Sequence, residues 1–195
     1  NVPYMVAAQF NEAVTGKTVE AFTAGQLLKP AGMLHSTSDD ETRFNTPDRA
    51  QPHARTNGPL RGLGEQQMLN ERDDLGRNGA PAGGLAVSAN DMARWLLIQL
   101  AHGKLPESDQ RLFSEAAHEP MWKPVILEPI KPLPSEFVVP EPMFNTYALR
   151  WNVPDYPGAT LVSHGGAVPG LSPRAVPCPV HNGGLPNAAT GCSRH

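Results

Sequence analysis

An α+β fold is predicted, with a helical region followed by an antiparallel hairpin. Apolar residues recur at helical spacing from residue 2 to residue 14 and again from residue 92 to residue 100. Between residues 147 and 163 they alternate at strand spacing around one turn. Composition agrees: 21 prolines and 18 glycines make up a fifth of the 195 residues, against a usual share of about 12%. That excess describes a loop-rich globular chain and stays short of low complexity. Sixteen Lys and Arg against nineteen Asp and Glu leave a net charge of −3, with no basic stripe for nucleic acid. No apolar run approaches the ~18 residues of a membrane span. Cys178 and Cys192 are too few for a disulfide framework.

The first helix is carried by Val2, Val6, Phe10 and Val14, with Gly16 as its stop. A second helix starts at Thr18, which can cap it, and has Glu20 in its first turn. Lys29-Pro30-Ala31-Gly32 is expected to end it, because proline cannot continue the hydrogen-bond ladder. Residues 36–84 are mostly polar and read as one long surface excursion with little regular structure, the kind of loop that is often functional. Ser88-Ala89-Asn90-Asp91 has the spacing of a capping box with Asp in place of Glu. Met92, Trp95, Leu96 and Leu100 continue it as an amphipathic helix, which Gly103 stops.

A shorter helix is expected from Ser108 or Asp109 to just before Pro120. Residues 119–157 hold nine prolines and read as extended connector. Tyr147, Leu149, Trp151 and Val153 predict one half-buried strand; Asp155-Tyr156-Pro157-Gly158 is turn chemistry, and Ala159–Ser163 returns as its partner. From residue 156 onward there is no Asp or Glu, and prolines at 169, 173, 177, 179 and 186 are expected to break any further strand. Residues 171–195 therefore read as an irregular tail, either a flexible one or an ending altered by a frame change or sequence error. The chain opens on Asn1 in an apolar pattern that asks for a preceding partner, so residues 1–170 are expected to be part of a larger domain.

Several motifs are excluded on their residues. Gly16-Lys17-Thr18 resembles the end of a phosphate loop, but Asn11 stands where its first glycine belongs. Gly62-Leu63-Gly64 has Gln67 in place of the third glycine of a dinucleotide fingerprint. The seven histidines show no short metal-ligand spacing, so no metal is expected. Neither Gly-x-Ser-x-Gly nor Ser-x-x-Lys occurs. His164-Gly165-Gly166 stands out by position, directly after a predicted strand. Bare glycine backbone there lets a substrate pair as an added strand, and a histidine can donate a hydrogen bond or tune an acid/base group near neutral pH. The plainer alternative is a glycine-rich turn with an exposed histidine.

Four stretches together resemble the serine beta-lactamase-like hydrolases, the superfamily of class C beta-lactamases, penicillin-binding DD-peptidases and related esterases. "EAVTGKTVEAFTAGQLLKPAGMLHSTS" is similar to the helices that follow that family's Tyr-x-Asn motif. "APAGGLAVSANDMARWLLIQL" is similar to its glycine turn and the helix flanking the active site. "YALRW" resembles its Tyr-x-Leu-Gly-Trp strand, with Arg150 where relatives commonly have glycine, and "SHGGAVPG" resembles its third catalytic motif on the cleft strand.

The resemblance implies an α/β sandwich of the beta-lactamase/transpeptidase type, only part of which these residues cover. It implies a serine hydrolase that works through an acyl-enzyme on an amide, β-lactam or ester. His164 would face the serine and polarise the substrate or the tyrosine, and Gly165 and Gly166 would let substrate backbone lie against the strand. Asn1 matches the last residue of Tyr-x-Asn, whose amide would hold a substrate carbonyl. The partner is then a small-molecule or peptide-like substrate, with no cofactor, and the location periplasmic or extracellular. Without Ser-x-x-Lys these residues alone are expected to be inactive, with a non-catalytic peptide- or cell-wall-binding member as the alternative.

Overall fold

The computed structural model describes residues 1–58, 63–70, 72, 76–130, 143–156, 159–178 and 187–192. The middle of the proline-rich connector, the turn at Pro157 and Gly158, Gly62, and the tail residues 179–186 lie outside them. Two compact units emerge: Asn1–Asp91 with Gly165–Pro173 and Gly191–His195, and Met92–His164 with Arg174–Thr190. Helices and small antiparallel sheets make up both, so the α+β class holds.

In the first unit, α1 spans Val2–Thr15 and ends at Gly16 in the left-handed conformation, φ 67°. Helices α2 (Val19–Phe22) and α3 (Lys29–Ala31) are joined end to end by a π turn, Thr23–Leu28. Thr18 caps this run, its hydroxyl accepting from the Ala21 N–H at 3.2 Å. Pro30 does not end the helix, as its sequence position had suggested. The widened π turn just ahead of it suits a residue with no N–H to give, and Gly32, at φ 69°, makes the stop. Leu28, Ala31 and Met33 are buried behind this corner.

Residues 36–84 depart most from expectation. They contain α4 (Asp40–Asn45), capped by Asp39, and α5 (Gly76–Gly83). Between the two helices runs a hairpin of β1 (His53–Asn57) and β2 (Gly64–Met68), with His53 opposite Met68 and Asn57 opposite Gly64. Both strands are polar and neither has a buried side chain, so no apolar alternation announced them.

The second unit is built on α6, Ala89–Leu100, whose first three residues belong to the first unit. Leu96 and Ile98 are fully buried. Leu96 packs with Ala148, Trp151, Val153 and Val162, flanked by Trp95, Met121, Trp122 and Ala175. The following helix, α7, runs Glu115–Trp122 with Ser114 as its cap. It starts later than expected and includes Pro120; residues 108–114 form turns instead.

The connector is partly ordered: β3 (Ile126–Glu128) pairs with β4 (Asn145–Tyr147). The expected single strand Tyr147–Val153 is folded back on itself. Ala148 N–H donates to Trp151 C=O at 2.8 Å, and Val153 N–H to Thr146 C=O at 2.7 Å, leaving Leu149 and Arg150 as a two-residue turn. The expected alternation holds only in the second arm, at Trp151 and Val153. The turn changes its phase, so that Ala148, expected outside, is buried and Leu149, expected inside, sits exposed at the tip. The expected hairpin follows as β5 (Asp155–Tyr156) against β6 (Ala159–Thr160), continued by an Asn152–Ser163 bridge.

Strand β7 (His164–Gly165) joins β8 (Pro173–Cys178) and β9 (Asn187–Cys192) in a three-stranded sheet of order β7-β8-β9. Residues 173–178 and 187–192 are therefore strands, where an irregular tail with proline-broken strands was expected. Pro173 is tolerated at the first position of β8, where its carbonyl still accepts the Gly166 N–H at 2.8 Å.

Candidate functional site

The His164-Gly165-Gly166 segment is delivered by the Asn152–Ser163 pairing, with N···O distances of 2.8 and 2.9 Å. Val162 and Ser163 just before it are buried, which fixes the strand's depth. Among the described residues that pairing ends at Ser163, and β7 carries β8 on one side only. The boundary between the two units falls between His164 and Gly165.

His164 is half-buried. Burial holds its imidazole below the ordinary histidine value of 6.5, and the nearby Arg150 guanidinium adds to the shift. Both effects disfavour a second positive charge, so the ring is neutral at neutral pH and presents one N–H and one lone pair. Arg150 takes φ 69° at the tip of its turn, a conformation that favours glycine. The resemblance placed a glycine here; arginine occupies the same strained geometry and adds a cation near His164. That electrostatic contact was not read from the sequence, although a charged residue at a glycine position was its signal.

The glycines divide by what surrounds them. A side chain at Gly165 would meet nothing within 4 Å, so the face of the strand is open at this residue. At Gly166 a Cβ would come within 2.8 Å of the Pro173 ring, so packing inside the protein already requires a glycine there. Gly170 behaves likewise: at φ 75° its added Cβ would lie 2.6 Å from the His53 nitrogen. Its carbonyl accepts the His53 N–H at 3.2 Å. The glycine that opens to solvent is Gly165.

Asn1 lies in the first unit and His164 in the second. The Asn1 side chain is exposed and makes no capping bond, while its carbonyl starts α1 by accepting from Tyr4 N–H at 3.0 Å. Asp91 does more than its capping-box reading required. Its N–H donates to the Ser88 hydroxyl oxygen at 3.2 Å, as that motif predicts. Its side chain, however, turns away: Oδ2 accepts both the His35 N–H and the Ser36 hydroxyl at 2.7 Å. This buried carboxylate therefore clasps the end of the α2–α3 corner to the first turn of α6.

Among the described residues no cluster of three metal-binding side chains occurs, and no helix is long and apolar enough to cross a membrane. Histidines do meet at one place. His102 and His118, sixteen residues apart, place their Nδ1 atoms 3.0 Å from each other.

A model of the Beta-lactamase family matches residues 1–176. The chain is 25% identical over 172 residues to Unguisins hydrolase ungD' of Aspergillus campestris (strain IBT 28561), covering 88% of this chain and 29% of that protein. The solved octameric penicillin-binding protein homologue from Pyrococcus abyssi matches with a TM-score of 0.68 at 21% identity, over 90% of this chain and 34% of that one. The second likeness is one of fold. The chain thus spans about a third of the length of each of these two proteins.

Proposed function

We propose, for a chain that belongs to the Beta-lactamase family, that it supplies the substrate-facing strand of a serine hydrolase acting through an acyl-enzyme on an amide, β-lactam or ester. The observation that carries this reading is the pairing of a neutral, half-buried His164 with the open backbone of Gly165 at a sheet edge. An extended amide-bearing substrate can add to such an edge through main-chain hydrogen bonds. His164 then offers its N–H to the substrate or to a proton-carrying group beside the scissile carbonyl.

Gly165 leaves space for the substrate, and Gly166 keeps the strand seated on Pro173. The role of Asn1, holding a substrate carbonyl through its amide, rests on the resemblance alone. The 195 residues contain no Ser-x-x-Lys, so the nucleophile in this proposal comes from a part of the protein outside them. Removing the nucleophile from such a site leaves only the small catalysis of positioning and oxyanion contacts. These residues by themselves are then inactive.

The test uses the full-length protein, read against a fluorescent penicillin and a short nitrophenyl ester. Acylation by either is expected, and His164→Ala should lower the acylation rate about 100-fold, the scale of one lost acid/base contact. Acylation by neither reagent, with binding of peptide ligands retained, would replace the hydrolase with a non-catalytic binder.

A further inference from the structure

Helix α7 is held to its unit in an unusual way. Of its eight residues the buried one is His118, a titratable ring. Phe113 lies parallel to that ring at 6.1 Å between centroids, and Trp122 meets it edge-on at 4.6 Å. The polar contact is with His102, just beyond the end of α6, Nδ1 to Nδ1 at 3.0 Å. His102 is fixed in turn, because Arg111 Nη1 donates to its carbonyl at 2.9 Å while Nη2 of the same guanidinium pairs with Glu115 on α7.

A nitrogen–nitrogen contact of 3.0 Å requires one ring to donate and the other to accept. One proton therefore lies between the two Nδ1 atoms. A second proton on the accepting nitrogen would set two N–H groups head to head, and the rings must then part. The donating ring keeps a lone pair on Nε2 and can take a proton there with the contact intact. Parting therefore requires protonation of the accepting Nδ1 itself, and the charged groups around the pair offer no other resting place. Glu115 and Glu119 of α7 and Lys123 just after it line the same shallow hollow of about 560 Å³, and Glu115 is already engaged by Arg111. The preceding loop adds Arg111 and the Lys104–Asp109 pair. At the end of α6 the His102 N–H donates to the Gln99 carbonyl at 3.0 Å, and from the Leu149–Arg150 hairpin comes Trp151, 6.3 Å from Trp122. Among the described residues neither imidazole is bonded to a carboxylate.

We propose that the His102–His118 pair is a proton-operated latch: one shared proton holds α7 against the tryptophan cluster, and protonation of the accepting nitrogen releases it. Burial, and then the neighbouring His102, hold His118 below the ordinary value of 6.5. The released ring titrates at its ordinary value, so the released form binds the extra proton more readily. The latch is therefore fully closed above about pH 6.5 and is lost as pH falls through the lower value of the closed form. Release also frees Trp122 from Trp151 and so loosens the hairpin that leads to β7. The latch does not depend on the hydrolase reading.

Peptide-resolved hydrogen exchange in the full-length protein, from about pH 8 to about pH 5 and corrected for intrinsic exchange, reads it directly. Protection of Glu115–Trp122 should fall by up to about tenfold per pH unit from about pH 6.5 down to the lower value of the closed form, the slope of one proton, and then level off, while Ala89–Leu100 holds. His118→Phe should abolish the fall. His102→Gln, whose amide can donate or accept, should move it down or remove it even where the first variant fails to fold. Flat α7 protection across the range, or a transition unchanged by both substitutions, overturns the latch.

Discussion

The stretch before Asp91 and the stretch after it solve the problem of cohesion differently. In the second unit, α6 buries Leu96 and Ile98 completely, and Trp151, Val153 and Val162 close over Leu96. In the first unit α1 carries an equally regular apolar stripe and has no buried residue at all: Val2, Val6, Phe10 and Val14 are 58–70% exposed. Beside the small buried set of Leu28, Ala31 and Met33, polar clasps hold that unit, with Asp91 on His35 and Ser36, Thr18 and Asp39 as helix caps, and a polar hairpin. The lesson is that periodicity establishes that a helix exists, while what it buries depends on chain far away in sequence.

The comparison breaks most visibly at Leu96. Leu96→Ala should lower stability by about 3 kcal/mol, the usual cost of a buried cavity, read as a shift of the urea midpoint at constant slope. Phe10→Ala, made on the matching face of α1, should change it by less than about 0.5 kcal/mol. Equal losses at the two positions would mean that α1 is buried after all, and the contrast between the units would disappear.

Asp91 tests the polar half. Asp91→Ala leaves the His35 N–H and the Ser36 hydroxyl without their acceptor, a loss of about 2 kcal/mol on the scale of orphaned polar groups. Both bonds run to the same oxygen, Oδ2. Asp91→Asn, whose amide oxygen can take that place, should therefore recover more than half of the loss. If the asparagine variant unfolds at the same urea concentration as the alanine one, geometry is not what the clasp supplies.

What was legible follows the same division. Helix α1, the cap at Ser88, the stop at Gly103 and the hairpin before His164 depend on neighbours close in sequence, and their residues announced them. The β1–β2 hairpin was missed because strands such as Gly64–Met68 expose every side chain and so carry no alternating pattern. Proline misled at Pro30, Pro120, Pro173 and Pro177; at Pro30 and Pro173 a π turn and a first strand position remove the need for its missing N–H. At the candidate site His164 and Gly165 were legible from strand and motif. The His102–His118 contact, the Asp91 clasp and the approach of Arg150 to His164 were not, since tertiary folding alone brings those partners together.

The smallest expected effect is at Arg150, where the two kinds of cohesion meet: the turn belongs to the apolar unit, and its tip is strained and charged. Arg150→Gly removes the penalty of a side chain at φ 69° and should stabilise the hairpin by up to about 1 kcal/mol, partly offset by the freedom glycine adds to the unfolded chain. It also removes a cation from beside His164. Burial remains the larger cause of that ring's low value, so His164 should titrate higher than before yet still below 6.5. An NMR titration of the His164 ring reads this without any assay of activity. The sign matters for the proposed chemistry. A neutral His164 is kept down to the folded value and lost below it, so the variant's acid limb of activity moves toward neutral pH. A ring that titrates at an unchanged pH would show that burial alone keeps it neutral, and would leave Arg150 as a strained residue with no part in the site.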